Sequence, residues 1–192
     1  MEKRKNITVY CASSATINQD FFEAAKELAN LMAAREIGCI YGAGAQGLMG
    51  CVADTMLHAG GKVTGVIPHF MIERGWCHPA LTDVIATETM HQRKTIMAQK
   101  GDAAIALPGG CGTIEELMEV ITWKQLGLYT HPIVLLNTNG YYNPLIEMLQ
   151  NAISNHFMRE IHSRLWYTAS TPHEAVEAAL NLPEWDNKLS KY

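Results

Sequence analysis

Residue types able to do chemistry concentrate in one stretch, Pro108-Gly109-Gly110-Cys111-Gly112-Thr113-Ile114-Glu115-Glu116. Three glycines let the backbone come close to an anion. The run also opens a helix, whose first amides lack intrahelical acceptors and carry partial positive charge. A phosphate group suits such a turn, with the Thr113 hydroxyl as an extra donor. The Gly-Lys-Ser/Thr ending of an NTPase loop is missing. Glu115, Glu116 and Glu119 follow on the same helix. Consecutive helical side chains are turned by about 100°, so Glu115 and Glu116 cannot face one point, and spacing alone does not say which acid turns inward. Thr113 and Glu116 also have capping-box spacing, in which the glutamate would merely cap its own helix. The phosphate-shaped turn ahead of them favours chemistry.

A second patch is Met90-His91-Gln92-Arg93-Lys94-Thr95-Ile96-Met97. On a helix, Met90, Arg93, Lys94 and Met97 fall on one stripe at i, i+3, i+4 and i+7. Two cations between two methionines suit a pocket where cations meet an anion and sulfur packs on a flat group. A solvated cationic pair is the plain alternative. A third patch, Gly42-Ala43-Gly44-Ala45-Gln46-Gly47, is a literal G-x-G-x-x-G. Two features speak against a dinucleotide site there. The loop follows the second strand rather than the first, and no Asp or Glu lies between Asp54 and Glu73 to hold a ribose. A tight turn into a close-packed helix is the simpler reading.

Alternating elements must position these patches. Short apolar runs predict strands at 7–11, 37–41, 62–67, 83–86, 103–107, 132–136 and 165–168. Helical spacing predicts helices at 20–35, 48–59, 88–100, 113–126 and 142–155, the second of these stopped by Gly60-Gly61. A last helix starts at Thr171-Pro172-His173-Glu174, where cap, proline and capping-box acid stand in order. Residues 69–81 show no period and read as a surface loop. Ala103-Ala104-Ile105-Ala106-Leu107 is apolar throughout, as a strand buried on both faces must be. Strands joined by helices of this length give right-handed crossovers and a parallel sheet covered on both sides. The expectation is one doubly wound, Rossmann-like α/β domain over 1–192, with ligand at the carboxyl ends of the strands.

Composition narrows the function classes. The chain has 192 residues, 48% hydrophobic and 18% charged, which suits a packed core rather than disorder. Lys and Arg number 15 against 19 Asp and Glu, a net charge of −4 with no block of one sign. That argues against nucleic acid or an anionic membrane as partner. No apolar run nears the roughly 20 residues that cross a bilayer, and the short run after the basic start is no signal-peptide core. Cytoplasmic location is expected. Five cysteines at 11, 39, 51, 77 and 111 form neither a C-x-x-C pair nor a disulfide framework, and the eight histidines lack metal-site spacing. Neither metal nor cofactor is expected.

Taken together, these motifs resemble the LOG ("LONELY GUY") family of cytokinin-activating phosphoribohydrolases, often labelled lysine decarboxylases. The hallmark P-G-G-x-G-T-x-x-E stands at 108–116, M-H-x-R-K at 90–94, and the likeness continues through Glu116-Leu117-Met118-Glu119-Val120-Ile121-Thr122-Trp123. Gly47-Leu48-Met49-Gly50 and Gly140-Tyr141-Tyr142-Asn143 are similar as well. Ala12 and Ala43 replace glycines usual in the family, and residues 69–81 match poorly. The resemblance implies hydrolysis of the N-glycosidic bond of a nucleoside 5′-monophosphate, AMP or an N6-substituted AMP, to free base and ribose 5-phosphate. It implies Glu116 as the catalytic carboxylate and Arg93 as its catalytic partner. Substrate-binding residues would be Gly109, Gly110, Cys111, Gly112 and Thr113 at the phosphate, with Lys94 assisting. Met90, Gly44, Ser14, Thr122 and the acid Glu73 complete that set. A homodimer is implied too, with Trp123 and Leu126 as apolar candidates for its contact. Two rivals are a nucleotide-binding protein that does not cut, and a decarboxylase using a lysine Schiff base with pyridoxal phosphate.

Overall fold

A computed structural model of the chain describes residues 5–186. Its strands are β1 (Asn6–Tyr10), β2 (Gly38–Tyr41), β3 (Val63–Pro68), β4 (Asp83–Thr87), β5 (Ala103–Ala106), β6 (Ile133–Leu136) and β7 (Tyr167–Ala169). They form one seven-stranded sheet in the order β4-β3-β2-β1-β5-β6-β7. Every pairing is parallel. The helices are α1 (Gln19–Ala34), α2 (Gly47–His58), α3 (His69–Glu73), α4 (Met90–Lys100), α5 (Cys111–Gln125), α6 (Asn143–Ser154) and α7 (Pro172–Asn181). The doubly wound α/β fold expected from the sequence is the one observed.

Alternation along β1 shows how the sheet divides two cores. Ile7 and Val9 point to one side, into a cluster with Leu28 and Met32 of α1, Val52 and Met56 of α2, and Val176 of α7. Tyr10 points to the other side and joins Met97 of α4, Leu117 and Val120 of α5, and Leu135. Thr8 shares that side, and its hydroxyl donates to the Met97 carbonyl at 2.7 Å. Ala103 to Leu107 are all buried. Caps fix the ends. Thr89 accepts from the Gln92 amide at the start of α4 and Thr171 from the Glu174 amide at the start of α7. Gly60, at φ 75°, ends α2.

Two boundaries depart from expectation in ways that matter. Residues 69–81 are not a plain loop, because α3 occupies the first five and Gly44 bridges Cys77 just beyond. A five-residue helix is too short to show a period. Helix α5 starts at Cys111, with Gly110 as its N-cap, so Thr113 lies inside its first turn. The strand expected at 165–168 runs Tyr167–Ala169.

Candidate active site

Strand order reverses between β1 and β5, because the chain leaves β4 at one edge and returns beyond β1. Loops following two such neighbours diverge and open a crevice at their carboxyl ends. A cleft of about 620 Å³ lies there. The loops after β1, β2 and β5 and the segment after β3 enclose it.

At its floor sits an ion pair. Arg93 and Glu116 are 8% and 11% exposed, and Arg93 Nη1 donates to Glu116 Oε1 at 3.0 Å. Arg93 is also tied to backbone, through Nε to the Val66 carbonyl at 3.0 Å and Nη2 to the Gly42 carbonyl at 3.5 Å. A buried guanidinium needs several acceptors to offset desolvation. Here they come from β3, the loop after β2, and α5. Burial pushes the Glu116 carboxyl above its ordinary value, and Arg93 opposes that rise.

Around this pair the cleft is lined by Ser14, Gly44, Met90, Gly110, Gly112 and Thr113, as the sequence suggests. Gly110 offers no side-chain cap to α5, and the first intrahelical bond is Ile114 N–H to the Gly110 carbonyl. The amides of Cys111, Gly112 and Thr113 therefore form the polar start of α5 beside the cleft. Thr113 stands at the third helical position rather than at the cap, so no Thr113–Glu116 capping box forms. Of the three acids, Glu116 is the one that turns inward.

Other candidates lie elsewhere. Lys94 does not reach the cleft. It pairs with Glu115 and with Glu119, the latter at 3.1 Å. Burial alone would lower its pKa, but the two glutamates outweigh burial and raise it. One step of about 100° separates Lys94 from Arg93, enough to place it outside the pocket. Gly109 and Cys111 flank the lining residues without joining them. Glu73 is exposed at the end of α3. Thr122 is exposed as well, its hydroxyl donating to the Met118 carbonyl at 2.8 Å.

The cleft also holds residues that sequence reasoning passed over. Met49, Met71 and Trp76 give it an apolar side together with Met90 and Ile67. The Arg74 guanidinium lies 5.2 Å from the Trp76 ring and 5.7 Å from that of Phe70. Buried His78 pins this segment. Its Nδ1 accepts from the Ala80 amide, which puts the ring proton on Nε2, 3.0 Å from Asp54 Oδ1. The His78 amide donates to the Ala43 carbonyl at 2.8 Å. The run Phe70-Met71-Ile72 followed by Trp76, too apolar for a plain surface loop, was the signal available at 69–81.

The family model described as possible lysine decarboxylase matches residues 49–179. A cytokinin riboside 5′-monophosphate phosphoribohydrolase of Arabidopsis thaliana is 42% identical over 188 residues, covering 97% of this chain and 87% of that one. A second from Arabidopsis thaliana is 39% identical, over 90% and 76%. The chain belongs to the LOG family. Among solved structures, the molybdenum cofactor carrier protein of Chlamydomonas reinhardtii aligns with a TM-score of 0.73 and 20% identity, over 94% of this chain and 98% of that one. At that identity the likeness is one of fold. The family model's label would require a lysine to carry pyridoxal phosphate. Among the described residues no lysine lines the cleft, so the LOG site here does not fit that cofactor.

Proposed function

We propose that this LOG-family chain hydrolyses the N-glycosidic bond of nucleoside 5′-monophosphates, AMP and N6-substituted AMP included, giving free base and ribose 5-phosphate. One observation carries the reading. A buried carboxylate held by Arg93 and an uncapped helix start face the same cleft, on the same helix. From the first amides of α5 to Glu116 the helix rises roughly 5–7 Å. That is comparable to the reach from a 5′-phosphate to the anomeric carbon of the same ribose.

The chemistry follows from this spacing. As the bond between the anomeric carbon and the base breaks, its electron pair departs on the base nitrogen, which takes up a proton from solvent, balanced by the water proton that Glu116 accepts and then releases. Positive charge builds on the sugar. The Glu116 carboxylate stabilises that charge and draws a proton from the water whose oxygen adds to the anomeric carbon. Arg93 holds Glu116 in place and keeps it ionisable despite its burial. Phosphate binding, remote from the broken bond, aligns the sugar. The methionines and Trp76 supply the apolar surface on which a flat base packs.

The same proposal includes a homodimer in the cytoplasm. Leu126 and Leu128, 62% and 73% exposed after α5, support a contact between copies. Five free thiols support a reducing compartment. Incubation with AMP or adenosine, followed by chromatography for adenine, tests the activity. AMP is expected to be cleaved far faster. No adenine from AMP would sink hydrolysis, and equal rates would sink the phosphate anchor.

A further inference from the structure

The Gly140-Tyr141-Tyr142-Asn143 run plays no part in the chemistry above, yet both hydroxyls end on the phosphate loop. Tyr141 Oη donates to the Gly109 carbonyl and Tyr142 Oη to the Leu107 carbonyl, each at 2.6 Å. These two carbonyls stand on either side of Pro108.

The tyrosines are themselves firmly placed. The turn before them takes the left-handed conformation twice, at Asn139 and Gly140. Asn137 Oδ1 accepts from the Tyr142 amide at 2.7 Å. Asn139 Nδ2 donates to Asp20 of α1 at 2.7 Å. The Tyr141 ring meets Phe21 and Tyr142 edge to face, at centroid distances of 5.9 and 5.2 Å.

We infer that Tyr141 and Tyr142 are positioning residues that lock the peptides of the phosphate loop so that the Gly110 amide faces the anion. In a planar trans peptide, C=O and N–H point in opposite directions. Holding the Gly109 carbonyl back on Tyr141 therefore drives the Gly110 N–H the other way, and Gly110 lines the cleft. The restraint is needed because both neighbours of that peptide bond are glycines, free to rotate and flip it at little cost. Tyr142 fixes the Leu107 carbonyl, two peptide units earlier, in the peptide where proline supplies no N–H of its own. This inference rests on the phosphate-anchor reading above and adds the residues that give the anchor its direction.

Tyr141→Phe tests it, since the variant keeps the ring contacts and removes only the hydroxyl. KM for AMP and the inhibition constant of ribose 5-phosphate should both rise about fivefold, the scale of one lost hydrogen bond. The kcat for AMP, kcat/KM for adenosine, which has no phosphate, and Tm should stay close to wild type. Tyr142→Phe should show the same split with a lower Tm, because its hydroxyl is buried. Unchanged binding of ribose 5-phosphate in Tyr141→Phe would overturn the clamp. So would an equal loss on AMP and adenosine, the mark of general loosening. A wild-type protein that favours neither AMP over adenosine nor ribose 5-phosphate over ribose would instead refute the underlying anchor.

Discussion

The loop after β2 and the loop after β5 are both glycine-rich and both touch the cleft, but two glycines of the second do what none of the first is built for. In Gly42-Ala43-Gly44-Ala45-Gln46-Gly47 they make room for other parts of the protein. A Cβ on Gly42 would overlap the Arg93 guanidinium, and one on Gly47 would overlap the Ser13 backbone. In the Pro108–Thr113 loop, Gly109 likewise makes room for Thr113, but Gly110 and Gly112 have open space where a Cβ would stand, and their bare backbone is what the cleft meets. The same residue type thus builds a socket for a side chain in one loop and, on the function proposed above, a bare anion cradle in the other. A glycine motif read without its strand position cannot distinguish them.

The largest effect expected on this contrast comes from Glu116→Gln, which keeps the shape and removes the charge. It should lower kcat for AMP by about a hundredfold or more, within the range for a lost acid–base group, with Tm preserved. Full activity would mean that the wrong acid has been assigned. Gly42→Ala should come next, since its methyl displaces the guanidinium that orients Glu116. Loss of roughly tenfold or more in kcat, with little change in affinity for ribose 5-phosphate, would separate the socket from the cradle. Equal losses in both would merge them.

The pH profile sharpens the same point. Glu116 must be ionised to act, and burial raises its pKa, so kcat/KM should begin to fall at a higher pH than an ordinary glutamate would dictate. Arg93 lowers that pKa, so Arg93→Gln should move the acidic limb further up. A limb that does not move would show that the pair is not coupled. Lys94→Gln should have the smallest effect on turnover, with KM for AMP within about twofold, because its partners Glu115 and Glu119 lie outside the cleft. Its cost should appear as a Tm lowered by a few degrees.

Much of the architecture is readable from the chain. Runs such as 103–107 are apolar at every position, a pattern that a strand covered on both faces requires. Thr171 and Glu174 cap α7 as their order suggests. What escaped was local or depended on angle. Helix α3 is too brief for periodicity, so Met71 and Trp76 were not placed at the cleft. Arg93 and Lys94 fall on one sequence stripe, yet a single residue's rotation sends one to Glu116 and the other to Glu115 and Glu119. Choosing between Glu115 and Glu116 needed the position where α5 begins, and the capping-box pattern puts the N-cap at Thr113, three residues past the observed Gly110.

The acceptors of Arg93 come from residues 42, 66 and 116, stretches of chain that meet only after β2, β3 and α5 have docked. Bond-breaking competence is therefore acquired together with tertiary assembly. A partly folded chain would carry the glycine turn and the acid but lack the cation that orients the acid, so on the proposed function turnover of nucleotide would report completed folding.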